Sequence, residues 1–102
     1  MSEEFPKLIL LDWQNGDDWL ISSKGWFDRN LVELANGNRY QICFFDCVRL
    51  SQHLADDTKN GKPFFIENSL IVLSEVTIEN MQKAIKVAEK QGFFENLKPT
   101  NL

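Results

Sequence analysis

Residues 31–61 read Leu31-Val-Glu-Leu-Ala-Asn-Gly-Asn-Arg-Tyr-Gln-Ile-Cys-Phe-Phe-Asp-Cys-Val-Arg-Leu-Ser-Gln-His-Leu-Ala-Asp-Asp-Thr-Lys-Asn-Gly61 and carry signals for a hairpin followed directly by a helix. Asn36-Gly37 lies between two strand-like runs, Leu31–Ala35 and Arg39–Phe45. That spacing predicts a hairpin with a type I′ turn, whose twist matches paired strands. Along the second strand Tyr40, Ile42 and Phe44 share one face, and Gln41, Cys43 and Phe45 the other. Both faces are apolar at the Phe44 end, which predicts a central position in a sheet. Asp46 then suits a helix N-cap, because its carboxylate can accept from the free N–H groups of the first turn. The helix runs from Cys47 to about Lys59, with Cys47, Leu50 and Leu54 on the buried side and Val48, Ser51 and Ala55 as a flanking stripe. Asn60-Gly61 caps it and Pro63 prevents its continuation.

Downstream, Phe64-Phe65-Ile66 and Leu70-Ile71-Val72-Leu73 read as two short strands, the second apolar at every position as if covered on both faces. Thr77 caps a last helix, Ile78 to about Gln91, whose core face is Ile78, Met81, Ile85 and Ala88, with Ala84 beside them. Glu79 and Lys83 form an i,i+4 pair on its exposed side, and Phe93-Phe94 folds back onto the core after Gly92. Upstream, Phe5–Trp13 contains the run Leu8–Leu11; periodicity does not separate strand from short helix here, and a strand is the preferred reading. Asn15-Gly16-Asp17-Asp18 reads as a turn and Asp18–Ser23 as a strand. The expected architecture is α+β: a single sheet of about five or six short strands packed with two helices.

The 102 residues make one domain, 1–102, at roughly 100–150 residues per domain; residues 1–4 and 96–102 are expected to be loose. No apolar run approaches the roughly 18 residues of a membrane span. Eleven Lys and Arg against fifteen Asp and Glu leave a net charge of −4. The basic residues are dispersed, so the cationic footprint of a nucleic-acid binder is missing, as is that of a binder of anionic membrane. Cys43 and Cys47 are the only cysteines, and the acidic start Met1-Ser2-Glu3-Glu4 leads into no secretion signal. The cytoplasm is the expected location, with both thiols as small buried hydrophobes and no disulfide. Two Cys and the single His53 do not complete a four-ligand zinc site, so no metal and no cofactor is expected.

Tests for chemistry return little. Cys47 and His53 are six residues apart on one predicted helix, roughly 600° or about 240° around its axis, and point to different sides. Cys43 meets His53 only if tertiary structure brings them together. The glycines are isolated turn residues, so no phosphate loop exists. Adjacent carboxylates at Asp17-Asp18 and Asp56-Asp57 diverge and make poor acid–base pairs. No catalytic residue is assigned, and the chain reads as a non-enzyme.

A surface remains. Trp13, Asp17, Asp18, Trp19, Trp26, Phe27 and Asp28 bring three Trp and a Phe among three Asp within sixteen residues. Trp19 and Phe27 also suit a core, while Trp13 and Trp26 lie next to turn residues. Aromatic side chains contribute large contact area with few rotors, and carboxylates around them suit a basic protein partner. Asp56 and Asp57 lie where the helix dipole disfavours negative charge. The candidate partner-binding residues are therefore Trp13, Asp17, Asp18, Trp26, Asp28, Asp56 and Asp57.

The stretch Tyr40–Leu54, together with Lys62-Pro-Phe-Phe-Ile-Glu67, Leu70–Asn80 and Gly92-Phe-Phe94, resembles the immunity proteins of bacterial contact-dependent growth inhibition systems, of the enterobacterial and neisserial kind. The resemblance covers about residues 38–94 and consists mostly of fold-building positions. It implies a cytoplasmic, non-enzymatic protein that binds and neutralises a cognate toxin domain, often a nuclease. No toxin-contact residue transfers by motif. The competing reading is a small-molecule-binding or regulatory accessory domain, which requires a deep cavity lined by Cys43, Phe44 and Phe65. An enzyme requires His53 beside Cys43, or a carboxylate in a cleft.

Overall fold

The computed structural model describes residues 5–14 and 17–100, with the side chain of Asp18 left out of the description. The Asn15-Gly16 part of the expected turn therefore lies outside the described residues, as do residues 1–4, 101 and 102. Elements follow in the order β1 (Lys7–Leu10), α1 (Asp17–Lys24), β2 (Trp26–Phe27), β3 (Asn30–Glu33), β4 (Arg39–Tyr40), β5 (Cys43–Asp46), α2 (Cys47–Lys59), β6 (Leu70–Leu73) and α3 (Ile78–Lys90), then a 3₁₀ turn, Phe93–Asn96. The architecture is α+β, but the strands form two three-stranded sheets rather than one: β1-β3-β4 and β2-β5-β6.

The division has a local cause. Val32 pairs with Tyr40 and Phe27 with Phe44, so five steps of chain on one side lie opposite four on the other. The pairing thus continues past the expected hairpin, which starts at Leu31, back to Trp26, with an extra residue at Asp28–Arg29, and an odd insertion reverses side-chain parity. Tyr40, Ile42 and Phe44 keep one parity and are all buried; opposite them the buried set shifts from Val32 and Asn30 to Phe27. Asn30 fills the resulting gap. Its side chain is fully buried, its Nδ2 donates to the Ile42 carbonyl at 2.7 Å, and its Oδ1 accepts from the Ile42 N–H at 3.3 Å. Gln41 Nε2 donates to the Asp28 carbonyl at 2.9 Å and ties the same two crossing segments on the outside. The β3–β4 turn also departs from type I′. Asn36 has no positive φ, Gly37 N–H donates to the Leu34 carbonyl, and Gly37 takes φ 89°, a three-residue loop with a left-handed glycine.

Sheet β2-β5-β6 is antiparallel on one side of β5 and parallel on the other, with α2 as the crossover. Asp46 caps α2 by accepting from the Arg49 N–H at 2.7 Å. At its far end Lys62 N–H donates to the Asp57 carbonyl and Gly61 N–H to that of Thr58, a Schellman closure. Thr77 caps α3 in the same way as Asp46 caps α2, and Met81, Ile85 and Ala88 form the core face of α3. Helix α3 packs on both β1 and β6, so the two sheets share one core with Val32, Ile42, Phe44, Val76 and Phe94. Beyond the 3₁₀ turn Leu97 packs against that core, and Thr100 N–H donates to the Arg39 carbonyl at 2.7 Å.

Other elements also depart from the sequence expectation. Asp18–Ser23 belongs to helix α1, which begins with two aspartates, ends with Lys24 and stops at Gly25, φ 77°. Phe64–Ile66 forms no strand. β6 is an edge strand with Val72 45% exposed, rather than a strand covered on both faces. Finally, α2 contains no fully buried residue: Cys47 and Leu54 are exposed and Leu50 is half-buried, so the expected core face of this helix is only partly covered.

A Cβ on Gly25 would meet Asp46 Oδ2 at 2.7 Å and the Arg49 Cβ at 3.0 Å, on a left-handed backbone. Gly25→Ala is expected to destabilise by about 2–4 kcal/mol in chemical denaturation, combining left-handed strain with displacement of a helix cap. Asn30→Ala strips both Ile42 backbone groups of their buried partner and is expected to cost about 2–4 kcal/mol. In Asn30→Asp the buried carboxyl titrates above its unfolded value of about 3.9, so the folded state binds more protons. That variant should close its gap to the wild type as pH falls toward about 4.

Candidate functional site

Alternation along β2 and β5 sends Phe27 and Phe44 into the core and Trp26, Cys43 and Phe45 to the opposite face, where α2 lies. Because α2 covers that face incompletely, a cavity of about 230 Å³ remains beneath it, lined by Trp26, Asp28, Cys43, Phe45, Arg49, His53 and Phe65. Its rings interlock edge to face: His53 and Phe65 have centroids 4.8 Å apart at 86°, and Phe45 and Phe65 5.8 Å apart at 71°. His53 Nε2 lies 3.7 Å from Asp57 Oδ2, one turn along the helix.

On the other side of the Trp26–Asp28 segment runs a groove of about 320 Å³. Leu11, Asp12 and Trp13 come from the turn after β1, Asp17, Leu20, Ile21 and Lys24 from α1, and Trp26–Arg29 from β2 and the crossing. Trp13 packs edge to face on Phe27 at 5.9 Å, which fixes one wall. Asp12, at φ 53°, pairs with Arg29 at 3.0 Å, and Asp17 Oδ2 accepts from the Gln14 N–H at 2.8 Å. With Arg29 neutralised by Asp12, the lining leaves Asp17 and Asp28 against Lys24.

Four of the seven sequence candidates, Trp13, Asp17, Trp26 and Asp28, thus line one groove. Asp18 follows Asp17 in α1, but its side chain is outside the description. Asp56 and Asp57 lie toward the far end of α2 and line neither hollow, although Asp57 approaches His53. Trp19 is 70% exposed on α1 rather than in the core, while Phe27 is buried. Sequence reading had no place for Leu20 or Arg49 in a site. The signal for Leu20 was present in the helix-terminus chemistry of Asp17, Lys24 and Gly25, which puts Leu20 one turn before Lys24.

Tertiary structure does bring Cys43 and His53 to one cavity, with the carboxylate of Asp28. Phe45, and not Phe44, joins Cys43 and Phe65 there, because Phe44 faces the core. Burial first, then the charges of Asp28 and Glu67, push the Cys43 thiol up to about 11. At neutral pH it is protonated, the reverse of what a cysteine nucleophile needs. Among the described residues no three His, Cys, Asp or Glu are grouped to hold a metal ion, and no helix is long and apolar enough to cross a membrane. No protein-family model, curated protein or solved structure matches the chain.

Raising a thiol from 9.0 to about 11 leaves about a hundredth of the thiolate at pH 8. Iodoacetamide at pH 8, followed by peptide mass spectrometry, should therefore modify exposed Cys47 well before half-buried Cys43. Equal labelling would show that the cavity floor is open and unperturbed.

Proposed function

We propose that the chain is a non-enzymatic, cytoplasmic immunity protein that binds a cognate contact-dependent growth inhibition toxin domain, a nuclease with a basic cleft, and masks its active site. The observation that supports this reading is the convergence of Trp13, Asp17, Trp26 and Asp28 on one groove, beside the exposed Trp19 and Leu20 of α1. Large rings with few rotors anchor protein interfaces, and surrounding carboxylates favour a cationic partner. With a net charge of −4 the electrostatic steering is modest, and the apolar anchors contribute most of the residence time.

The test is co-expression with the toxin domain encoded by the adjacent upstream reading frame, reading growth, complex stoichiometry and binding kinetics. A one-to-one complex that restores growth is expected. Asp17→Asn, which keeps an acceptor for the Gln14 N–H, should slow association at low salt by about threefold to tenfold. Trp19→Ala should speed dissociation by about tenfold or more. Unchanged kinetics in both variants would remove the α1 side of the groove from the interface.

A second reading, a small-molecule-binding or regulatory domain, draws on the aromatic cavity beneath α2. Native mass spectrometry of the purified chain separates the two, since a retained small ligand of defined mass favours the second.

A further inference from the structure

Trp26 and Asp28 line both hollows, so the groove and the cavity beneath α2 meet along one short stretch of chain. A partner lying in the groove reaches the cavity mouth there. At about 230 Å³ the cavity exceeds an engineered 150 Å³ site that holds one benzene, and it has room for the end of one large side chain. Its walls are the rings of Trp26, Phe45, His53 and Phe65. The half-buried Asp28 has, among the described residues, no hydrogen bond or ion pair to its carboxylate; both bonds at this residue use the backbone carbonyl. Arg49 lines the same cavity and forms no ion pair with it. A carboxylate without a partner beside aromatic rings favours a cation of a size to reach both. The raised thiol of Cys43 places the Asp28 charge at this cavity, because Asp28 and Glu67 add to the effect of burial.

Resting on the reading of a basic protein partner, we propose that this cavity is the anchor pocket for one cationic side chain of that partner, an arginine or lysine. Asp28 serves as its counter-ion and Trp26, Phe45 and Phe65 as its walls.

The experiment is an NMR titration of the full chain with N-acetylarginine methylamide, with its uncharged isostere N-acetylcitrulline methylamide, and with guanidinium ion alone. The blocked arginine should saturably shift the Trp26 indole, His53 and Phe65 resonances, with the citrulline probe about tenfold weaker. Asp28→Asn should weaken the arginine probe about fivefold, and Arg49→Gln, by removing a like charge, should tighten it. Equal binding of the two blocked residues, or no shift at these resonances, would overturn the proposal. So would weaker binding in Arg49→Gln, which would mark an anion site, or guanidinium ion binding as tightly as the blocked residue, which would mark a site for small free cations. Each of these outcomes is independent of the Asp17 and Trp19 kinetics, so failure of the pocket is distinguishable from failure of the interface.

Discussion

Two hydrogen bonds between the buried Asn30 amide and the backbone of Ile42, one donated and one accepted by the side chain, hold the place where this chain passes from one sheet to the other. A backbone crossing in a dry core leaves an N–H and a carbonyl without ladder partners, and burying them unpaired costs about 1–3 kcal/mol each. An amide side chain presents one donor and one acceptor side by side, so it can substitute for the missing peptide unit. Asn30 does this from within β3, and Gln41 braces the same crossing through the Asp28 carbonyl. The insertion at Asp28–Arg29 is thereby accommodated rather than slipped into a neighbouring register.

What the insertion does is turn Asp28 and Trp26 to the outside of sheet β2-β5-β6 while Phe27 stays in the core. Without it, the hairpin would continue as one ribbon with the opposite parity in β2. The groove and the aromatic cavity, which meet at these residues, are consequences of the joint. Gly25 completes the arrangement from the other side: its lack of a Cβ lets the end of α1 approach the Asp46 cap of α2, and the Asp46 N–H donates to its carbonyl at 2.8 Å. The apolar core, centred on α3, lies behind these features and leaves α2 lightly attached.

Much of this was legible in the residues. Asp46 and Thr77 are polar caps directly before periodic apolar runs, and Asn60-Gly61 and Gln91-Gly92 close those runs, so α2 and α3 could be read almost to the residue. The parity of Tyr40, Ile42 and Phe44 was equally plain. The register shift was not, because nothing local in Asp28-Arg29 announces an extra residue; it is defined only by pairing across the chain. Helix α1 was missed because, among its described side chains, only Ile21 is buried, which gives alternation and helical period equal support. For the site, the clustering of Trp and Asp between residues 13 and 28 was visible in the sequence. That Asp28 would stand between two hollows, or that His53 and Cys43 would share one of them, depended on how α2 crosses the sheet.

The dependence of both surfaces on the crossing is tested most directly by amide hydrogen exchange at Ile42, read by NMR under native conditions. If Asn30 locks the joint, the Ile42 amide exchanges only through global unfolding, with the same opening free energy as the amide of Phe44 in the middle strand β5. Exchange of Ile42 at the rate of exposed loop amides, with Phe44 still protected, would contradict it: the crossing would then be a hinge, and the groove and cavity would not be held in fixed relation.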